Sequence, residues 1–223
     1  MRIIAAYNKA VRLRHIGHLD IVRAMGRALR RSGLPVAYSQ GFNPHILITF
    51  ASALSTGFAG TAEVMDVTLT EDVTVEAFLT AMNRALPEDM QLSQAKIVTD
   101  VKMPALMALM AAADYEIRLT DASQAAVLAE KLDAFMQQEH ISAIRKTKSG
   151  EKECDIRPLI HAIRIEGDTV FACLSQREGD SCKPDMLMKA LFDFAGMESG
   201  RTMVTRHTLY GEKNGALTPI MEL

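Results

Sequence analysis

The chain has 223 residues, 48% of them hydrophobic, with no Trp, fourteen Met, three Cys and a formal net charge of −2. That length accommodates two domains of ordinary size, and the apolar content suits a packed core rather than a disordered or collagen-like chain. The near-neutral total hides an asymmetry: residues 1–62 hold eight Lys or Arg against one acid, Asp20, a balance of +7 that leaves −9 on the other 161.

No apolar run is long enough to span a membrane, and Met1-Arg2-Ile3-Ile4-Ala5-Ala6-Tyr7-Asn8 reads as a strand rather than a signal peptide. Cys154, Cys173 and Cys182 are odd in number and lack metal-ligand spacing, so reduced thiols, a cytoplasmic location and no membrane partner are expected. The methionines read as fillers of irregular core gaps.

In chain order, a strand at about 2–8 leads through Lys9, Arg12 and Arg14 to Gly17, and a helix follows over 18–32. Leu19, Val22, Met25, Gly26 and Leu29 recur at spacings of three and four and predict its apolar stripe. Arg23, Arg27 and Arg31 stack one turn apart on the opposite side, with Arg30 flanking them. Ser32-Gly33 stops the helix and Pro35 prevents its resumption. Gly26 costs roughly 1 kcal/mol against Ala in a helix, which predicts a second backbone passing close to it.

A loop at 36–44, a strand at 45–51, a turn at 54–60, a strand at 62–70, a helix at 73–86 ended by Pro87, and a strand at 90–99 complete the first half. The order β-α-β-β-α-β predicts a ferredoxin-like unit over residues 1–100, with both helices on one face of an antiparallel sheet. Asp100-Val101-Lys102-Met103-Pro104 reads as a connector. Beyond it come a strand at 113–119, a helix at 121–139 and a strand at 141–147, then a turn from Lys148 to Lys152. A hairpin across Gly167-Asp168, a helix from Pro184 and a strand at 202–210 follow. The whole is thus expected to be α+β, two ferredoxin-like (βαββαβ) domains in tandem. The second, 113–223, carries one extra hairpin strand.

The candidate site lies in the basic first part. Arg12, Arg14, Arg23, Arg27, Arg30 and Arg31 have few acids nearby in sequence to neutralise them, and guanidinium groups pair bidentately with phosphate. Ser39, Gln40, Gly41 and Asn43 add polar groups and backbone N–H donors, with Gly41 permitting close approach. Tyr38, Phe42 and Tyr7 offer stacking faces for bases if they are not core residues. RNA or another polyanion is the expected ligand. His15, His18 and His45, with Asp20, are also a conceivable metal-ligand set. The helix dipole alone explains Asp20 in a first turn, however, and no metal is expected. Metal-independent RNA cleavage, with Tyr38 and the three histidines as general acid and base, is the competing enzymatic reading.

His18-Leu19-Asp20, Arg27 through Pro35, Tyr38-Ser39-Gln40-Gly41-Phe42-Asn43-Pro44-His45 and Asp155-Ile156-Arg157-Pro158 resemble the radical SAM-linked protein family. That is a bacterial conserved domain found alone or fused behind a radical SAM enzyme. The resemblance covers nearly the whole chain, most distinctively its first half. Past His45 the family tends to continue with Pro and a basic residue, where this chain has Ile46-Leu47. The closely spaced Cys triplet that holds such an enzyme's iron–sulfur cluster is absent from the sequence. The chain is therefore similar to the stand-alone module, with no cofactor expected in it and a radical SAM enzyme implied as partner. A fainter likeness, architectural only, is to CRISPR repeat-processing endoribonucleases. The resulting expectation is an RNA- or phosphate-ligand-binding accessory protein in RNA modification or metabolism. An endoribonuclease-like enzyme and a protein–protein adaptor are the alternatives.

Overall fold

The structure, a computed structural model, describes residues 1–100, 102–147 and 150–223. It is mixed α+β, with a large, mostly antiparallel sheet and five α-helices among the described residues. No described helix is long and apolar enough to cross a membrane. The chain divides into two compact units, Met1–Met110 with Arg206–Leu223, and Ala111–Thr205. Val101 of the predicted connector, and Lys148 and Ser149 of the predicted turn, lie outside the described residues.

In the first unit β1 (Arg2–Lys9) pairs antiparallel with β3 (Ala59–Thr68) on one side and with β4 (Leu92–Ile97) on the other. The strand predicted at 45–51 shrinks to β2 (Ile48–Phe50), which pairs with residues 65–67 of β3. Pro44 and the preceding loop keep its first residues out of the ladder; only an isolated bridge, Tyr38 to Ile46, forms there.

Cross-strand partners share a face, so Ile3 opposite Val67 and Ala5 opposite Met65 build one apolar surface. Two helices cover it: α1 (His18–Ser32) through Ile21, Met25, Ala28 and Leu29, and α2 (Val75–Ala85) through Phe78 and Met82. Thr74 caps α2 by accepting from the Ala77 N–H at 3.2 Å. At its other end the Ala85 carbonyl accepts from Arg31 Nη2 at 2.7 Å, and Gln91 Nε2 donates to Asn83 and Leu86.

The apolar stripe predicted for α1 needs correcting. At roughly 100° per residue, Leu19 lies about 160° around the helix from Ile21. Ile21 is buried and Leu19 is 69% exposed. Met25, Gly26 and Leu29 of the predicted stripe are buried, whereas Leu19 and the half-buried Val22 lie on the flank of the helix.

In the second unit β5 (Ala112–Leu119), β9 (Thr169–Ser175) and β8 (Ile160–Glu166) lie side by side, antiparallel. Helices α4 (Ala122–Met136) and α5 (Pro184–Phe194) meet edge to face through Phe135 and Phe194, ring centres 5.5 Å apart. The strand predicted near 141–147 forms β6 (Ser142–Thr147), which pairs with β7 (Gly150–Asp155) as a separate two-stranded hairpin, so residues 150–152 of the predicted turn are strand instead. The first unit also holds the short helix α3 (Leu106–Leu109) and, from Arg206 on, the hairpin of β10 (Thr202–Lys213) with β11 (Ala216–Pro219).

The Asp155-Ile156-Arg157-Pro158 stretch has a structural role here. One Asp155 oxygen accepts from the Ile141 and Arg157 N–H groups at 2.9 Å, and the other lies 2.9 Å from His140 Nδ1. Arg157 Nε donates to the Met136 carbonyl at 3.0 Å. The motif thereby ties the end of α4 to the hairpin. The His140 contact, with the two backbone donors, holds the Asp155 carboxyl below its ordinary range.

Candidate functional site

Helix α1 begins at Gly17, whose extended backbone provides no side-chain cap, and ends at Gly33 in the left-handed conformation at φ 75°. Its outer surface separates the six candidate arginines by what they touch. Arg12 is paired with Asp89 at 2.9 Å, and Arg14 Nη1 donates to the nearby Val11 carbonyl. Arg31 is committed to the Ala85 carbonyl beside α2. Arg23 bonds Asp20 at 3.0 Å, one turn back. Among the described residues, Arg27 and Arg30 have no hydrogen-bond or ion-pair partner, and both are exposed.

Arg23, Arg27 and Arg30 occupy a wedge of about 60° on the helix, whereas Arg31 lies some 40° further round. The three line one cleft of about 360 Å³ with Val22, Gly26, His45, Ile46 and Ile48. The structure therefore regroups the predicted basic face: Arg30 joins Arg23 and Arg27, and Arg31 leaves them. Gly26 is also corrected. A methyl group placed there would meet nothing within 4 Å, so no second backbone passes close. The glycine instead leaves a notch in the cleft wall.

The loop from Tyr38 to His45 borders the cleft and is well braced. Ser39 N–H donates to the His45 carbonyl at 2.8 Å, and His45 N–H donates to Ser39 Oγ at 3.1 Å. Ser39 Oγ also lies 2.8 Å from His45 Nδ1, which leaves Nε2 for another partner. Gln40, Gly41 and Asn43 are exposed along the loop. Tyr38 is 43% exposed and Phe42 is 111% exposed, so neither is a core residue. Tyr7 is 3% exposed and is withdrawn as a stacking face; burial, with Glu63 beside it, pushes its hydroxyl pKa well up.

The three histidines do not converge. His15 is exposed in the turn before α1, and His45 belongs to the cleft. His18, the first residue of α1, sets its ring edge-on to Phe50 with centres 5.3 Å apart. Burial lowers its pKa, Glu63 opposes the shift, and Arg206 and Lys9 reinforce it. Among the described residues, no three His, Cys, Asp or Glu side chains are grouped to hold a metal ion.

Sequence reasoning missed a buried ionic network on the helix-covered side of the first unit. Arg206 forks onto Glu63 at 2.8 and 2.6 Å and reaches Ser52 Oγ at 3.2 Å. Lys9, 2% exposed, donates to the Arg14 carbonyl at 3.1 Å, and burial lowers its pKa. A signal did exist. Strand alternation places Glu63 with Met65 and Val67 on the inward face, where a charge demands a partner.

The cleft thus presents three guanidinium groups and an imidazole above an apolar floor, an arrangement suited to phosphate with adjoining apolar or aromatic groups. No curated protein matches the chain. A family model described as "uncharacterized protein conserved in bacteria (DUF2344)" matches residues 2–184. With most of its length matched, the chain belongs to this bacterial family.

Proposed function

We propose that the protein binds RNA or another phosphate-rich ligand in the Arg23–Arg27–Arg30–His45 cleft and acts as an accessory protein rather than as an enzyme on its own. One observation carries the reading. Arg27 and Arg30 line a cleft without an acid partner among the described residues, while Arg12 and Arg31 of the same basic segment are already satisfied. Unpaired guanidinium groups side by side repel one another, and phosphate relieves that repulsion while accepting bidentate hydrogen bonds.

The radical SAM partner is the part of the proposal that rests on the sequence resemblance alone. The ferredoxin-like architecture is likewise proposed for both units. In the first, the order β4-β1-β3 with β2 at the edge supports it. An endoribonuclease-like mechanism has less support, since His18 faces Phe50 and His45 faces the cleft.

The test is equilibrium binding of a labelled single-stranded RNA. Arg27→Ala with Arg30→Ala should weaken binding at least tenfold, and Arg12→Ala should leave it within about twofold. Equal effects of the two changes would mean that only diffuse charge matters and would remove the cleft from the account.

A further inference from the structure

We propose that the loop from Tyr38 to His45 is a base-stacking platform with Phe42 as its working face, so that the ligand is an unpaired nucleotide segment rather than a duplex. This rests on the reading of the neighbouring cleft as a phosphate site. Phe42 is 111% exposed, so its ring has no shelter from any part of the protein. Exposed aromatic rings elsewhere on a surface are usually half-covered; this one has both faces open to a planar partner.

The loop that presents it is not a loose tip. Ser39 and His45 close its base with three hydrogen-bonding contacts of 2.8–3.1 Å, and Tyr38 bridges to Ile46 just outside them. Gly41, at φ 119°, takes a conformation that side chains rarely adopt, immediately before Phe42. Gly41 thus supplies the backbone turn that carries the ring outward from a closed loop base.

Position supplies the second argument. His45 closes the loop and also lines the arginine cleft. Phe42 lies three positions before it, at most about 11 Å of extended chain. A strand with its phosphate in the cleft has a neighbouring base within reach of the ring. Bases inside a duplex stack on each other and offer no free face, so a duplex engages the arginines only.

The experiment compares anisotropy of a labelled ten-nucleotide RNA as a single strand and as a duplex, with wild-type protein, Phe42→Ala, Phe42→Trp, and Arg27→Ala with Arg30→Ala. Phe42 touches nothing that holds the fold, so its variants should melt as wild type does. Phe42→Ala should weaken the single strand between about fivefold and a hundredfold, Phe42→Trp should retain it, and duplex affinity should stay within twofold for both. If Phe42→Ala binds the single strand normally while the arginine variant does not, the platform is wrong and the phosphate site stands. If neither variant weakens it, both readings fail. Equal losses on single strand and duplex would overturn the platform, and Phe42 would then serve another role, such as anchoring a protein partner.

Discussion

Arg206 and Glu63, 143 residues apart in sequence, form a bidentate ion pair at 2.6–2.8 Å, with each side chain only 2% exposed. Gly60 makes room for it. A methyl group at that position would stand 2.7 Å from Glu63 Cγ, too close for the carboxylate to fold across the strand. Desolvating two charges offsets much of their attraction, so the pair is not a large net source of stability. Breaking it is another matter.

Arg206→Ala or Glu63→Ala should each cost about 3–5 kcal/mol, because each leaves its partner charged and buried. Replacing both by apolar residues of similar volume should restore much of the loss. Urea midpoints of the single and double variants check this. Single variants within about 0.5 kcal/mol of wild type, the range of ordinary surface changes, would contradict it.

The second prediction concerns pH. Burial holds the His18 pKa below its ordinary 6.5, while Phe50, Glu63, Lys9 and Arg206 surround it. Above pH 6.5 the histidine is neutral in both states and contributes no pH dependence. As pH falls from 6.5 through the lowered folded value, the unfolded chain takes the proton first and stability declines. Urea midpoints measured between pH 7.5 and 5 should therefore fall less for His18→Gln than for wild type. Parallel declines would mean that His18 does not carry the dependence.

Gly26 separates stability from binding. The site is helical and has open space at the methyl position, so Gly26→Ala should raise stability by up to about 1 kcal/mol. If the notch it leaves belongs to the ligand, the same change should weaken RNA binding. A variant that gains stability and keeps full affinity would show the notch to be unused.

Much of this was legible in the sequence, for identifiable reasons. The limits of α1 follow from Gly17 and Gly33, which mark both ends, and the buried positions Met25 and Leu29 follow from helical spacing. Leu19 misled because residues 19, 22 and 26 fall on one flank with regular spacing, yet that flank borders the cleft rather than the sheet. The basic face was legible as charge, but not its division. Which arginines are free depends on Asp89 and the Ala85 carbonyl, which lie 77 and 54 residues away from the arginines they hold. The exposure of Phe42 was undecidable from residue type, since the same ring serves equally well in a core. Glu63 was readable as an inward charge, but its partner comes from β10, 143 residues on, and follows from no local pattern.

The salt dependence of RNA binding tests the central claim most directly. The slope of log affinity against log salt counts the phosphates engaged, at about 0.7 per contact for a single strand. Arg27→Ala with Arg30→Ala should flatten that slope by about 1.4. The corresponding Lys pair should keep most of the slope while losing the affinity that depends on bidentate geometry. An Ala pair with unchanged slope and affinity would mean that Arg27 and Arg30 meet only solvent, and that the cleft is not where phosphate binds.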